Sequence, residues 1–330
     1  MPSIADTTVE TIQFVFPEHA GAPGQIHGGR MMQWITQAGT MAASRAARGT
    51  VVLGAMDDID FLQPVKVGEI VILRAQVEYV GKSSLEVGVR VWTENVPTGR
   101  RTVTLNSHLV FVAVDDDVRP RPVRDKVEPV GADEIAIHEA ARVRREERLA
   151  RLIQKRGRAA EQAGGDEDVR WRFESVRSVL PEDALFGNLM FPGKMLMDID
   201  EAGGILSMRY CKGFVMTACL DAMDFYAPIF THEVVVFKAG LNYVGSSSLE
   251  VGVKVLAETP WSGETRHACT AFLTFVHLEA GSDGWKPAPC RPFVPETAPE
   301  RRRWEEAAAR RERRLARVKR LKTQLANERG

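Results

Sequence analysis

The sequence carries no net charge and no long apolar run. Its 330 residues include 44 Lys and Arg against 44 Asp and Glu, so the chain as a whole has no electrostatic attraction to nucleic acid or to an anionic membrane. No apolar stretch approaches the roughly 18 residues expected of a membrane-spanning helix. The start, MPSIADTTVE, lacks the basic and apolar regions of a secretory signal. These absences predict a cytoplasmic protein that binds neither nucleic acid nor membrane.

Cysteine is scarce and unevenly placed. All four cysteines lie in the second half of the chain: Cys211, Cys219, Cys269 and Cys290. Their spacings match neither a CxxC metal motif nor a small disulfide framework. We therefore expect buried free thiols in a reducing compartment, with no bound metal and no cofactor.

What the sequence does contain is one long pattern written twice. DDIDF at 57–61 returns as DAMDF at 221–225, and YVGKSSLEVGVRV at 79–91 returns as YVGSSSLEVGVKV at 243–255. The second copy begins about 164 residues after the first, and two such long units indicate a duplication and not a solenoid.

The repeat predicts two domains of similar plan. We place the first unit at residues 1–156, an exposed linker at 157–168, and the second unit at 169–330. In each unit the order is a strand, a long helix and then four strands. The strands predicted in the first unit are Thr11–Phe16, Val51–Phe61, Val71–Tyr79, Leu85–Thr93 and Thr102–Val114.

Two stretches with helical spacing of apolar residues occupy equivalent places in the units. Gly29–Arg45 reads GRMMQWITQAGTMAASR, and Gly193–Arg209 reads GKMLMDIDEAGGILSMR. Gly203 lies inside the second helix at a cost of about 1 kcal/mol relative to alanine, so we expect close packing there by a sheet. A carboxylate on a helix otherwise suited to burial is costly unless it is hydrogen-bonded or used, which makes Asp200 the first candidate for chemistry. Its equivalent in the first helix is Thr36.

HGGRMMQWITQAG followed by DDIDFLQPVKVGEIVILRAQVEYVGKSSLEVGV resembles tandem hotdog acyl-CoA thioesterases of the brain-type acyl-CoA hydrolase group. The resemblance covers nearly the whole chain. It implies an α+β fold of two hotdog domains, each an antiparallel sheet wrapped around a long central helix, with charged helices at the carboxyl end of each copy. It also implies hydrolysis of acyl-CoA to a free acid and CoA, and a homo-oligomer of three double hotdogs.

The family's catalytic aspartate lies in a context that IDEAG matches at Ile199–Gly203, so the resemblance assigns catalysis to Asp200. The family also has an asparagine three residues before the glycine that opens G-N-V-H-G-G. That position is Gly21 in the first copy and Ala184 in the second. Gln25 or a bound water is a candidate replacement for the missing side chain.

The HGG motif occurs only in the first copy, at His27, Gly28 and Gly29. The second copy reads GNLMFPGK at 187–194, with one residue apparently inserted. If the copies pair as in the family, the loop of the first meets the acid of the second, whereas the reciprocal pair has neither element. The resemblance therefore implies one competent site per chain, at the interface of the two domains.

The chemistry expected of these residues is attack on a polarised thioester. The amides of Gly28 and Gly29 lie at the positive end of a helix dipole and form a candidate oxyanion site. Asp200 would act as a general base on water or as a nucleophile, two possibilities that the sequence leaves open. His27 either assists catalysis and substrate binding or orders the loop.

The hairpin VGKSS offers Lys82, Ser83 and Ser84 for the phosphates of CoA, the alternative being an ordinary hairpin tip. The arginine-rich stretches at 145–152 and 311–318 predict helices that are either basic patches for nucleic acid or cofactor phosphates, or solvated faces that pack one stripe on a neighbour. Four aspartates recur in both copies and are expected to have structural or pairing roles: Asp57, Asp60, Asp221 and Asp224.

Three other functions remain open at this point. A hotdog hydratase would need an Asp/His pair near the helix, which the sequence lacks. A non-catalytic acyl-CoA-binding or regulatory protein is compatible with the missing asparagine and with the altered first helix. An assembly protein would use the arginine-rich helices as its scaffold.

Overall fold

The computed structural model of the chain describes residues 1–21, 24–159, 169–282 and 284–327 and shows two units of one plan. The elements of the first unit are β1 (Val9–Phe14), α1 (Gly28–Ala47), β2 (Val51–Met56), β3 (Ile59–Asp60), β4 (Ile70–Val80), β5 (Ser84–Asn95), β6 (Arg100–Ala113) and α2 (Gly131–Ala159). The predicted linker therefore begins inside α2, and the rest of it, residues 160–168, lies outside the described residues.

The second unit repeats this order with additional short strands. Its elements are β7 (Arg172–Ser178), β8 (Ala184–Phe186), β9 (Leu189–Met190), α3 (Pro192–Cys211), β10 (Phe214–Leu220), β11 (Met223–Asp224), β12 (Val234–Val244), β13 (Ser248–Thr259), β14 (Glu264–Gly281), β15 (Gly284–Pro287) and α4 (Ala298–Asn327).

In each unit an antiparallel sheet wraps around the long helix. The strand order is β1-β4-β5-β6-β2 around α1 and β7-β12-β13-β14-β10 around α3. A Cβ atom at Gly203 would lie 2.9 Å from the ring of Phe275 on β14, which confirms that a glycine is needed where the sheet presses on the helix. The α+β fold of two hotdog domains with charged helices at their carboxyl ends is confirmed.

The units exchange short strands across their interface. The predicted single strand Val51–Phe61 is wrong, because it divides at Asp57 and Asp58, residues that disfavour strand structure. Its first half, β2, stays in the first sheet, while β3 crosses and pairs with β10 of the second unit. Reciprocally, β11 of the second unit pairs with β2. Backbone hydrogen bonds therefore join the two sheets' edges.

The arginine-rich helices pack onto the sheets through buried ion pairs. Arg148 of α2 donates to Glu86 at 3.0 Å and to Asp57 at 3.3 Å. Arg314 of α4 donates to Asp221 at 3.2 Å. Both arginines are only 7% exposed, so these helices are not free basic patches but pack one stripe on the sheets, which was the second alternative. Removing one partner would leave a buried charge uncompensated, which is strongly destabilising.

Ion pairs of two further arginines cross between the units. Arg317 of α4 donates to Asp60 at 2.6 Å and lies 2.8 Å from Asp58, both in the first unit. Arg151 of α2 lies 3.6 Å from Asp224 in the second unit. The repeated aspartates thus have the pairing role that the sequence predicted. None of the helices in the described residues is both long and apolar enough to cross a membrane.

Candidate active site

The first turn of α1 meets the middle of α3 at the interface of the units. The Gly29 amide donates to Oδ2 of Asp200 at 2.7 Å, and Nδ1 of His27 lies 3.2 Å from the same oxygen. Asp200 is 1% exposed. The structure therefore brings the loop of the first unit and the acid of the second together, as the resemblance implied. We call this arrangement the Asp200 site.

Glycine is required at both positions of the loop because the units approach at backbone distance. A Cβ atom at Gly28 would lie 2.6 Å from Oγ1 of Thr217, and one at Gly29 would lie 2.8 Å from Cα of Met197. The second of these contacts is with backbone, which cannot rotate away as a side chain can. Any larger residue at Gly29 would push α1 away from α3.

Thr217 is a member of the site that sequence analysis missed. Its hydroxyl, on β10, donates to Oδ1 of Asp200 at 2.7 Å. The available signal was the comparison of the two copies, because the equivalent residue of the first copy is Leu53. Each oxygen of the buried carboxylate thus receives a hydrogen bond, which offsets part of the penalty of burial.

Burial raises the pKa of Asp200 above its usual range. The charge of His27 and the hydrogen bonds from Thr217 and Gly29 lower the pKa, but burial is the larger effect. A carboxylate with a raised pKa is a stronger base than an exposed aspartate, as general-base catalysis near neutral pH requires.

His27 and the amides of Gly28 and Gly29 make different contacts at the Asp200 site. Nδ1 of His27 lies 3.2 Å from the Gly29 amide as well as 3.2 Å from Asp200, but one nitrogen cannot accept from an amide and donate to a carboxylate at once. The shorter bond from Gly29 to Asp200 favours a proton on Nδ1 that faces the carboxylate. Gly29, predicted as an oxyanion donor, therefore holds Asp200 instead. The Gly28 amide has no hydrogen-bond partner among the described residues.

Gly21, which stands at the position of the family's asparagine, packs directly against His27. A Cβ atom at Gly21 would lie 2.8 Å from Cδ2 and 3.3 Å from Cα of His27, so a side chain there requires the imidazole to move. Oε1 of Gln25 is buried and has no hydrogen-bond partner among the described residues, which keeps Gln25 a candidate for binding water beside the loop.

Comparison with known proteins adds to this geometry. A sequence model of the thioesterase superfamily matches residues 23–99 and again residues 187–261. The chain belongs to the thioesterase superfamily. The two matches contain the loop and helix start of one unit and the Asp200 helix of the other, so the resemblance to tandem hotdog thioesterases is confirmed.

Individual relatives of this superfamily member cover either the whole tandem or one unit. The cytosolic acyl coenzyme A thioester hydrolase of Mus musculus is 28% identical over 311 residues, which are 89% of this chain and 80% of the relative. Protein VdlD of Helicobacter pylori is 38% identical over 134 residues, 41% of this chain and 75% of the relative. A solved acyl-CoA hydrolase from Staphylococcus aureus, in complex with butyryl coenzyme A, is 31% identical, with 49% of this chain and 98% of that chain covered and a TM-score of 0.46.

The structure repeats the same interface once more with the units' roles reversed, because the start of α3 at Gly193 packs on Gln33 of α1. We call that place the second pocket. Its residues equivalent to His27, Gly28, Asp200 and Thr217 are Phe191, Pro192, Thr36 and Leu53. The hydroxyl of Thr36 donates to the Met32 carbonyl of its own helix at 2.8 Å. Pro192 has no amide hydrogen to offer a substrate. A cavity of about 250 Å³ opens there, lined by apolar residues that include Leu53, Phe191 and Pro192.

The loops that lead to α1 and α3 have equal lengths, so the predicted insertion in the second copy is wrong. The His27 amide donates to the His19 carbonyl at 2.9 Å, and the Phe191 amide donates to the Asp183 carbonyl at 2.7 Å. Counted from these bonds, the residue equivalent to Gly21 is Leu185 and not Ala184.

The hairpin tip predicted to contact CoA, Lys82–Ser84, lies at the opposite end of the first unit. The Lys82 carbonyl accepts from the Val123 amide at 2.9 Å, and Arg121 nearby donates to Ala47 at the end of α1 at 2.8 Å. Because a helix of this length spans about 30 Å and the active-site loop precedes its start, the structure does not bring the tip to the reacting thioester within one chain.

Proposed function

We propose that this chain hydrolyses acyl-CoA thioesters to a free acid and CoA. The observation that carries the proposal is the buried Asp200 carboxylate, which Gly29 and Thr217 hold beside the Gly28 amide. Relatives named cytosolic acyl coenzyme A thioester hydrolase and acetyl-coenzyme A thioesterase support the same reaction.

In this mechanism the thioester carbonyl oxygen accepts a hydrogen bond from the Gly28 amide at the start of α1, where the helix dipole is positive. In one route Asp200 takes a proton from water, whose oxygen attacks the carbonyl carbon. In the other route the carboxylate attacks that carbon itself and forms a mixed anhydride, which a water molecule then hydrolyses to the free acid and the restored carboxylate. The carbon–sulfur bond breaks and CoA leaves as a thiolate. His27 faces the carboxylate and stabilises its charge before attack.

One competent site per chain follows from the second pocket. It has a hydroxyl where the Asp200 site has an acid, and a proline where that site has the free amide. Acyl-CoA that enters there would meet no base, and the amide equivalent to that of Gly28 is absent, so it would not be hydrolysed.

The test measures release of CoA thiol from a panel of acyl-CoAs by the wild type and by Asp200→Asn. The variant keeps an oxygen for Gly29 and an amide that donates to Thr217, so its free energy of unfolding should change by less than about 1.5 kcal/mol. Its kcat should fall by roughly 1,000-fold or more, about 4 kcal/mol of transition-state stabilisation.

A second function is favoured by Gly21, which stands where the family has its asparagine. If the wild type binds acyl-CoA but releases no thiol at any chain length, the hydrolase proposal fails. The chain would then be a non-catalytic acyl-CoA-binding or regulatory protein.

We also propose a homo-oligomer of three double hotdogs, a cytoplasmic location and contact between Lys82 of one chain and the CoA bound to another chain of that oligomer. The edge strand β1 exposes 63% of Ile12 and 42% of Phe14, and exposed apolar side chains on one strand mark interaction surfaces. Light scattering would measure the number of chains in the oligomer. The relative named cytosolic supports the location.

The contact between Lys82 and CoA is tested separately, because Lys82→Ala should raise KM without changing kcat.

A further inference from the structure

A cluster of metal-ligand side chains lies at the end of α3 remote from the Asp200 loop. Cys211 is the last residue of α3, His277 lies on β14, and Cys290 follows β15. One ligand atom of each lies within 4.8 Å of the other two, and the two sulfur atoms are 3.9 Å apart. Three separate elements therefore converge on one point.

The imidazole of His277 is held as metal-bound histidines are held. Its Nδ1 lies 2.9 Å from the Pro289 carbonyl. A carbonyl can only accept, so Nδ1 carries the hydrogen and Nε2 keeps its lone pair. A metal-ligating histidine nearly always donates its other ring N–H to a carbonyl or carboxylate, which fixes the ring's orientation.

The first unit has none of these side chains at the same place. The Cys290 amide donates to the Ser246 carbonyl at 2.8 Å as the Val123 amide donates to Lys82 at 2.9 Å, which fixes the equivalence. The residues of the first unit that correspond to the cluster are all buried and apolar: Ala47, Ala113 and Val123. The two units therefore differ at all three of these positions, and in the second unit each position has a side chain that can bind a metal.

The two units also differ in the charge at this end of the helix. In the first unit the Arg121 guanidinium donates to the Ala47 carbonyl at the end of α1 at 2.8 Å, where a cation is favoured by the helix dipole. The equivalent residue of the second unit is Ala288, because its amide donates to His277 as that of Arg121 donates to Ala113. The second unit therefore lacks the arginine at this position and has two thiols and an imidazole beside it, while the neighbouring Arg291 packs on the ring of Tyr210 at 4.2 Å.

We propose that Cys211, His277 and Cys290 bind one Zn²⁺ ion. Two thiolates and one neutral imidazole suit zinc, whose tetrahedral shell would be completed by water. Each thiol releases its proton to solvent on binding, and the two thiolates then balance the charge of the ion. The metal ties the end of α3 and β14 to the segment that leads into α4, the helix whose Arg317 crosses to the first unit.

The experiment loads the reduced full-length chain with zinc sulfate, removes free metal by desalting and measures bound zinc by mass spectrometry. We expect about one ion per chain in the wild type and roughly a tenth of that or less in His277→Ala and Cys290→Val. These substitutions install the residue types of the first unit, which already pack there. Cys269→Ala, a buried cysteine outside the cluster, should bind zinc as the wild type does.

Cobalt provides a second readout that is independent of thioesterase activity. Co²⁺ bound by thiolates gives a sulfur-to-metal charge-transfer absorption, which should appear in the wild type and in Cys269→Ala and disappear in Cys290→Val. The proposal is overturned if the wild type retains no more zinc than Cys290→Val. It is also overturned if Cys211 and Cys290 form a disulfide under the same reducing conditions.

Discussion

The Asp200 site and the second pocket are two versions of one interface. Their difference shows that a shared fold does not determine which polar groups stand at the interface. Both lie where the start of one long helix meets the other unit, beside an exchanged strand. One version has an acid with two hydrogen-bond donors and a free amide. The other has Thr36, Leu53, Phe191 and Pro192 at the equivalent positions, and the last three of these line an apolar cavity. The polar groups of the Asp200 site are therefore mutually dependent, and the fold alone does not produce them.

The largest effect is expected when an acid is placed in the second pocket. Thr36→Asp would bury a carboxylate where Leu53 replaces the Thr217 hydroxyl, so the free energy of unfolding should fall by about 3 kcal/mol or more. Chemical denaturation measures this change, and Thr36→Val is the control without a charge. Thiol release should not increase. An active and equally stable Thr36→Asp variant would show that the acid alone distinguishes the two places.

Alanine at the loop glycine of each version should give unequal results. At Gly29 the new Cβ meets the backbone of Met197 at 2.8 Å, whereas at Gly193 the nearest atoms belong to the side chains of Phe191 and Gln33. Gly29→Ala should destabilise the chain by about 2 kcal/mol and abolish most activity. Gly193→Ala should leave kcat unchanged. Equal losses of activity in both variants would contradict the functional asymmetry.

The smallest effect concerns the pH dependence. The pKa of Asp200 is raised by burial and lowered in part by Thr217, and the ionised form is the reactive one. Activity should therefore rise with pH through this pKa, and Thr217→Val should move the midpoint of kcat/KM to higher pH. Thr217→Ser, which keeps the hydroxyl, is the control. A change of one pH unit corresponds to about 1.4 kcal/mol. An unshifted midpoint in the valine variant would remove Thr217 from the mechanism.

Two kinds of sequence signal predicted the fold: the local spacing of apolar residues and the repetition of the same segments in both units. The periodic apolar residues of α1 and α3 predicted both helices, and the copied strands predicted two sheets. The division of Val51–Phe61 was missed because β3 pairs with a strand of the other unit, and a strand pattern does not reveal its partner. Resemblance proposed Asp200 as the catalytic acid, but it did not indicate which amide donates to its carboxylate.

The missed contacts of the site join residues far apart in the sequence. Gly29 and Asp200 are separated by 171 positions, so no local pattern links them. Thr217 lies in an ordinary strand sequence and acquires its role only from the carboxylate beside it. The cluster of Cys211, His277 and Cys290 escaped for the same reason, because its spacing follows from the positions of three elements and matches no compact motif.

The exchange of β3 and β11 has a consequence for synthesis on the ribosome. When the first unit has been translated, Ile59–Asp60 has no strand to pair with, and β2 keeps an open edge until Met223–Asp224 has been made. An unpaired edge is a site for wrong pairing with other chains. A chain stopped at residue 168 should therefore aggregate or be cleaved by protease near β3, whereas the full chain should resist. Because of these exchanged strands, the two units encoded by the repeat should fold together as a single cooperative unit.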